Sequence, residues 1–410
     1  MGDTPQAART RRLLLEIGRN LHRYGTPAHR LESALAQIAA RLGIEARFFA
    51  VPTALFAAFG PLGHQQSAMV RVEPGGVDLG KLARLDDVVK GLVAEDQSVT
   101  EALAEVDAIE NAASRDSKVL TALAFGGASG AAAVFFSGGL REVAASLAVG
   151  LLIGFLAALI GTGRARHLVV PLSATVAAAL ARLGTEAVAP LLFDVVVAAG
   201  LLVHLPGLTL TTALAELSTR NLVAGTARLT VAGLVLLELG FGLVIGERLG
   251  DALAPAFGLV GGEAPMAAVP LPPLATAAAL GFAALSFVGI FRVRWADAPA
   301  VFASSTLAFV GARWAVGAFD GFVGAFVASL GLALACNGYA RIMDRPATVP
   351  LVPAILLLVP GSVGLKSMRL ALQHASSDAI ETVFEMMLIG LALAVGLVAA
   401  NALLTPRRDL

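Results

Sequence analysis

Two Pro-Gly pairs followed by polar side chains are the part of this sequence best suited to bind a small anionic molecule. The first set is Pro206, Gly207, Thr209, Thr211, Thr212 and Glu216, and the second is Pro360, Gly361 and Ser362. A helix broken at such a pair exposes N–H groups at the start of the next segment, and its positive end can hold a carboxylate. We predict that glycine is needed there because backbone must approach the bound molecule. The alternative is that the threonines bond back to their own helix.

Carboxyl groups inside apolar runs form a second set of candidates. Asp194 and Glu238 both fall within such runs. A charge at the centre of a bilayer costs at least ~2.5 kcal/mol on insertion scales, so an ionisable residue there rarely persists without a function. Burial also favours the protonated form of a carboxyl group. We therefore predict that these two groups bind and release protons. Asp194 and Glu216 also offer acceptors for an ammonium group. The alternative is that each carboxylate pairs with an arginine such as Arg228 and holds helices together.

The elements that carry these residues are predicted to be membrane-spanning helices. Mean hydropathy is +0.79, and residues 1–117 hold 28 of the 60 charged side chains. Ten apolar runs after residue 117 are each about long enough to cross ~30 Å of hydrocarbon. They are 119–137, 143–161, 168–182, 187–205, 226–246, 270–290, 299–316, 320–338, 348–360 and 380–404. The fold class predicted is an all-α polytopic membrane protein with a small α+β cytoplasmic domain at residues 1–117.

The two Pro-Gly pairs lie 154 positions apart, and the long span that follows each pair keeps that offset. The membrane part is therefore predicted to consist of two five-helix repeats, 118–250 and 265–405. Because five is odd, the second repeat must begin on the opposite side of the membrane, which makes the repeat inverted. The alternative is that Pro-Gly ends a helix twice by chance, since proline and glycine are common at helix ends.

Basic residues in the connections alternate, which predicts an orientation. Arginines cluster after the predicted second, sixth, eighth and tenth spans, so the N-terminal domain and both termini are expected in the cytoplasm. Only four of the 30 basic residues are lysine, a composition that we interpret as bacterial. The expected location is thus the bacterial cytoplasmic (inner) membrane. Net charge is zero, which gives no support for a nucleic-acid partner.

The N-terminal domain is predicted to contain four helices and two strands. The helices fall at 11–23, after Thr26 as N-cap, at 79–93 and at 99–112, the last capped by Ser98 or Thr100 with Glu101 in its first turn. The strands are expected around 44–50 and 69–77. His22 and His29 are predicted on a solvated helix face, and the single cysteine, Cys336, in a buried core. We expect no metal site and no cofactor.

Several short motifs resemble the threonine/serine exporter (ThrE) family. They are Tyr24-Gly25-Thr26-Pro27-Ala28-His29-Arg30-Leu31-Glu32, Pro52-Thr53, Leu205-Pro206-Gly207 with Asn221, Gly225 and Arg228 beyond, and Leu358-Val359-Pro360-Gly361-Ser362. The resemblance covers nearly the whole chain. It implies a secondary exporter of threonine or serine driven by proton antiport, with a small amino acid, protons and lipid as partners.

Three alternatives stay open at the level of sequence. Some relatives of this family are linked to dicarboxylate export, so a succinate exporter is the rival within the class. A membrane-embedded enzyme would need a nucleophile and base or a metal set, and the spans hold no such cluster: His167 and His204 are isolated. A channel or sensor is disfavoured by paired half-helices in an inverted repeat. A homo-oligomer is compatible with all of these.

Overall fold

The computed structural model describes residues 5–73, 75–112, 117–161, 164–187, 191–259, 268–269, 271–319, 321–373 and 375–405. The elements before Lys118, called the head below, are four helices and one antiparallel sheet of order β1-β2-β3. Their bounds are α1 Pro5–Arg23, α2 Ala28–Arg41, β1 Ala46–Val51, β2 Ala54–Phe59, β3 Gln66–Arg71, α3 Leu79–Val93 and α4 Val99–Asn111. The predicted α+β domain is therefore present, with three strands instead of two.

The core of the head follows the helical spacing of its apolar residues. Leu13, Ile17 and Leu21 of α1 are completely buried and pack against Leu35 of α2 and Leu55 of β2. The missed strand, β2, has the sequence Ala-Leu-Phe-Ala-Ala-Phe. Such a short apolar run does not distinguish a strand from a helix by its spacing.

Of the two caps predicted for α4, Ser98 is the one observed, and the cap predicted for α2 is wrong. Ser98 Oγ accepts from the Glu101 N–H at 3.3 Å, and the Glu101 carboxylate accepts from the Ser98 N–H at 2.8 Å. The N-cap of α2 is Pro27 without a side-chain bond, while Thr26 is fully buried. A carboxylate from the membrane part takes over the role predicted for Thr26, as described below.

The prediction that His22 and His29 lie on a solvated helix face is wrong. His22 is buried in the head, with Nε2 at 2.8 Å from the carbonyl oxygen of Val51. His29 is half-buried where the head meets the membrane helices. Both rings are covered because His22 lies against the end of β1 and His29 lines a cavity between the head and the membrane helices. Cys336 is buried, as predicted.

After Lys118 the described chain is helical. Its bounds are α5 Lys118–Phe135, α6 Leu140–Ile160, α7 Val169–Ala187, α8 Phe193–Gly200, α9 Gly207–Ser218, α10 Leu222–Leu253, α11 Pro273–Ile290, α12 Ala298–Ala318, α13 Gly321–Met343, α14 Thr348–Ile355, α15 Gly361–Leu372 and α16 Ser376–Leu403. Single turns of 3-10 helix occur at Arg164–Leu168, Leu202–His204, Ala254–Phe257 and Trp295–Asp297.

Eight helices of the described chain are long and apolar enough to cross a membrane, and a ninth crossing results if α8 and α9 count as one bent span. The prediction of ten continuous spans is therefore not confirmed. The predicted fourth and ninth spans, 187–205 and 348–360, contain α8 and α14, which have eight residues each. Eight residues extend only ~12 Å, well short of the hydrocarbon thickness. In both places the chain continues into a second helix after Pro-Gly, and α8 and α9 meet at 57°.

The head is attached to the connections of the second half through α3. The Leu79 N–H donates to the Phe291 oxygen at 3.0 Å. Asp87 accepts from Arg294 at 3.2 Å and from Arg345 at 3.1 Å. These two arginines belong to the connections that the charge pattern placed in the cytoplasm, and they lie on the same side as the head.

Thiol labelling can test the predicted orientation in intact cells. In a Cys336→Ser background, Asp251→Cys and Gln373→Cys should react with an impermeant maleimide added outside, because both exposed positions lie at the end opposite the head. Asp96→Cys, in an exposed loop of the head, should react only after the cells are opened. The reverse pattern would place the head outside.

Candidate functional site

The two Pro-Gly breaks contact each other in the middle of the membrane part. A Cβ atom added to Gly207 would lie 2.6 Å from Val359 Cγ2 and 3.2 Å from the Gly361 nitrogen. One added to Gly361 would lie 2.8 Å from Leu205 Cβ and 3.5 Å from the Gly207 nitrogen. The structure thus brings the first turns of α9 and α15 together. The two glycines thus lie against the side chains of Val359 and Leu205 and, slightly farther away, against each other's backbone nitrogen.

From this junction the two half-helices run in opposite directions. α9 runs toward the head, since Glu216 near its end contacts Ala28 at the start of α2. α15 runs away from the head, since Arg369 near its end approaches Glu247. Glu247 lies 19 residues beyond Arg228 on α10, or roughly 28 Å along the helix axis.

A cavity on the head side, called the near cavity, is enclosed jointly by the head and the membrane helices. Tyr24, His29 and Arg30 line it from the head. Its other polar lining comes from α9, α14 and α16, namely Thr211, Thr212, Thr348 and Asn401. The rest of the wall is apolar, and no carboxylate is among its described lining residues. Arg30 donates to Asn401 Oδ1 at 3.3 Å.

A second cavity at the opposite end, called the far cavity, carries most of its charge on α15. Asp194, Lys366 and Arg369 line it together with Ser362. Arg369 forms an ion pair with Asp194, and its guanidinium lies 4.5 Å from the ring centre of Phe193. This ion pair therefore ties the start of α8 to the end of α15 at the far cavity.

The two cavities are lined by corresponding residues of the two halves. Eight of the residues that line the far cavity have a counterpart 154 positions away in the lining of the near cavity. The pairs are Asp194 and Thr348, Val197 and Leu351, Ala198 and Val352, Leu243 and Leu397, Leu208 and Ser362, Thr211 and Leu365, Thr212 and Lys366, and Ala215 and Arg369. This offset is the one between the Pro-Gly pairs. The linings of the near and far cavities are thus related by the same spacing along the sequence as the two Pro-Gly pairs.

A third, central cavity lies beside the junction. Leu205, Val359, Gly361 and Ser362 line it from the two breaks, and Arg313 lines it from α12. Because Ser362 lines both the central and the far cavity, the first turn of α15 faces an open space on the far side. Gly207 and Thr209 line none of the three cavities, although Leu208 between them lines the near one.

Glu216 connects the head to the membrane helices. The side chain is completely buried, and Oε1 accepts from the Ala28 N–H at 3.0 Å. Arg228 Nε lies 3.1 Å from Oε1 and 3.0 Å from Oε2. The Ala28 N–H is one of the groups that a helix leaves unpaired at its N-terminus, where a negative charge is favourable. To accept an ammonium group, as predicted from the sequence, Glu216 would have to exchange these partners.

The structure separates the two predicted proton-coupling residues. Asp194 lies in the first turn of α8 and is exposed at the far cavity, because the helix begins only at Phe193. Glu238 is half-buried in the middle of α10, and its carboxylate lines none of the three cavities. Asp194 does pair with an arginine, as the alternative interpretation of the sequence proposed. The arginine is Arg369 and not Arg228.

Sequence reasoning missed Arg369, Tyr24, His29 and Thr348 as lining residues of these cavities. Thr348 could have been found, because it lies one repeat offset after Asp194. Tyr24 and His29 belong to the motif that carried the family resemblance, but no local pattern places that turn against a helix of the membrane part. Among the described residues, no group of three or more His, Cys, Asp or Glu side chains could hold a metal ion.

Broken helices that meet between two cavities are typical of polytopic membrane transporters. Comparison with family models identifies the family. A model described as a threonine/serine exporter matches residues 12–250, and the model Threonine/Serine exporter, ThrE, matches residues 275–403. The chain belongs to the threonine/serine exporter family, and the family indicates a membrane exporter.

Curated fungal proteins are similar to part of the chain. "Pheromone-regulated membrane protein 10" of Candida albicans is 29% identical over 244 residues, which are 58% of this chain and 22% of that protein. The proteins of the same name in Pichia sorbitophila and Kluyveromyces lactis are 27% and 29% identical, over 58% of this chain and 24% and 26% of theirs. The chain thus spans about a quarter of the length of these relatives. No solved structure matches it.

Proposed function

We propose that this protein exports threonine or serine across the cytoplasmic membrane by alternating access, in exchange for protons that move inward. The observation that carries this proposal is the pair of cavities lined by residues 154 positions apart, on opposite sides of the contacting Pro-Gly breaks. A transporter needs a site that opens to either side in turn, and two equivalent halves facing opposite sides provide two equivalent conformations.

In this proposal the membrane part is an inverted repeat with ten crossings. The bent pair α8 and α9 would be the fourth crossing, and α14 and α15 its counterpart in the second half. Helix packing supports this, since α7 packs on α10 as α13 packs on α16, and α9 packs on α10 as α15 packs on α16. The repeats would be 118–250 and 265–405; the start of the second, 265–267, lies outside the described residues.

The substrate carboxylate would be held at the junction. The first turns of α9 and α15 bring two positive helix ends together, and Ser362 adds a hydroxyl that faces the central and far cavities. Thr209, Thr211 and Thr212 would assist from α9. This geometry suits an anion that passes from the near cavity to the far one.

Proton coupling is assigned to Asp194, with Glu238 as the second candidate. Asp194 lies at the far cavity, on the side from which protons enter when both termini are cytoplasmic. Protonation of Asp194 would remove the charge that pairs with Arg369 and so release α15 from α8. A step that opens the far cavity would then depend on a proton from outside.

The charge of the cavities favours a second candidate substrate, a dicarboxylate such as succinate. Among the described residues, two basic side chains and one acidic one line the far cavity, namely Lys366, Arg369 and Asp194. Such lining accommodates a second carboxylate more readily than an ammonium group. An efflux assay must therefore include both kinds of substrate.

Efflux from cells loaded with labelled threonine, serine or succinate tests the function directly. We expect threonine and serine to leave cells that express the protein, with a rate that falls when the proton gradient is collapsed. Asp194→Asn should abolish export against a gradient while exchange of labelled for unlabelled substrate continues. Export and exchange are measured in the same way for Glu238→Gln, which should show this pattern if Glu238 carries the proton.

The matched control for coupling is Asp251→Asn, which removes an exposed carboxylate on the same side of the membrane but outside the cavity. It should leave both export and exchange unchanged. Unchanged uphill export by the Asp194 and Glu238 variants would remove both from the coupling mechanism. Efflux of succinate alone would replace the amino acid by the dicarboxylate.

A further inference from the structure

Hydrogen-bonding groups without partners converge on the near cavity. Tyr24 Oη, Thr211 Oγ1 and Thr348 Oγ1 are buried atoms with no hydrogen-bond partner among the described residues, and so is His29 Nδ1. The residues Tyr24, Thr211 and Thr348 are 4%, 1% and 6% exposed. All four line the same cavity. A buried polar group without a partner costs ~1–3 kcal/mol, so four around one cavity indicate a ligand that completes them.

We propose that the near cavity is a substrate-binding site shared between the head and the membrane helices, and that Tyr24 and His29 contact a small carboxylate-bearing substrate there. This inference rests on the proposed export function and adds the head to the transport site. Neither residue belongs to the helices that cross the membrane. The head would then be part of the substrate path.

The nature of the lining selects the substrate class. Hydroxyl groups can donate and accept, which suits a ligand that carries both kinds of group. Arg30 brings a positive charge, and no carboxylate lies among the described lining. Burial, with help from the charges of Arg30 and Arg228, lowers the pKa of His29 to about 4. At neutral pH its imidazole is therefore uncharged, so Nδ1 can accept or donate one hydrogen bond according to its tautomer.

The offset of 154 positions indicates why the head supplies a charged side chain to the near cavity. In the far cavity the guanidinium comes from Arg369 on α15, which approaches Glu247. The counterpart of Arg369 at the repeat offset is Ala215, which has no charge. The counterpart of Glu247 is Asn401, and it accepts from Arg30 of the head. The head thus supplies at the near cavity the cation that the membrane helices supply at the far one.

Binding to the purified full-length protein, with threonine, serine and succinate as probes, tests this site. Tyr24→Phe, His29→Phe and Thr348→Val each remove one hydrogen-bonding atom, so we expect the Kd of the bound probe to rise about 5-fold in each. His29→Asn returns a polar atom near the position of Nδ1 and should recover most of that loss. Tyr339→Phe, at the other tyrosine of the chain, should bind as the wild type does.

Thermal unfolding without ligand separates binding from folding. Because Tyr24 Oη has no partner among the described groups, Tyr24→Phe should not lower the unfolding temperature. A hydroxyl that only supported the fold would lower it.

Three results would contradict the proposal. One is a Kd that differs from the wild-type value by less than ~2-fold in all three variants, a change much smaller than the loss of one hydrogen bond. In that case the proposed site is wrong, but the export function stands if efflux is observed. Another is loss of stability in step with loss of affinity. The third is a wild-type protein that binds none of the probes; the efflux assay then decides separately whether the export function also fails.

Discussion

Glu216→Gln should destabilise the whole protein more than any other single charge change, by about 3–5 kcal/mol. The carboxylate is completely buried, is paired with Arg228 and accepts the first N–H of α2. Glutamine keeps the shape but not the charge, so the Arg228 guanidinium loses its ionic partner. We expect a lower unfolding temperature in detergent and faster proteolytic release of the head.

Two matched variants separate this effect from loss of any ion pair. Asp251→Asn breaks the Arg182–Asp251 pair, whose side chains are 40% and 47% exposed, and an exposed pair contributes only ~0–1 kcal/mol. The double variant Glu216→Leu with Arg228→Leu removes both buried charges together. It should be more stable than Glu216→Gln, because no unpaired charge stays behind. A double variant that is less stable would mean that the pair itself holds the head in place.

The contact between Glu216 and Ala28 shows which features of the fold can be predicted from the sequence and which cannot. Ser98 as one of two candidate caps of α4 and the bounds of α3 were predicted because every group involved lies within a few residues. Glu216 and Ala28 are 188 positions apart, and nothing near either residue marks the other as its partner. Glu216 was singled out as a functional carboxylate, whereas its observed contacts are a cap and an ion pair.

The spans illustrate a second limit. Apolar content identified the eight described helices that are long enough to cross a membrane, but it does not record where a helix is interrupted. Asp194 was placed in the middle of a span for this reason, while the helix starts one residue before it. The Pro-Gly pairs contained the missing information, because proline and glycine are the residues that break helices. The linings of the near and far cavities repeat at the same offset of 154.

Gly207→Val and Gly361→Val should abolish export, which is the largest functional effect expected from single substitutions in the membrane helices. The added Cβ atoms would lie 2.6 Å from Val359 and 2.8 Å from Leu205, and 3.2–3.5 Å from the opposite backbone nitrogen. Real Cβ contacts under 3.0 Å essentially do not occur, so α9 and α15 must move apart. Overpacking of this kind typically costs ~1–3 kcal/mol, which a folded protein can survive. Efflux and substrate binding, measured beside the unfolding temperature, test this.

The control is a glycine of the same kind without neighbours. A Cβ added to Gly331 in α13 would meet nothing within 4 Å, so Gly331→Val should insert, fold and export as the wild type does. A partial rescue follows from the contacts, because Val359→Ala removes the methyl group closest to position 207 and should restore some binding to Gly207→Ala. Wild-type affinity in both valine variants would mean that the junction only ends two helices. The substrate would then bind in the near and far cavities without contacting the place where the half-helices meet.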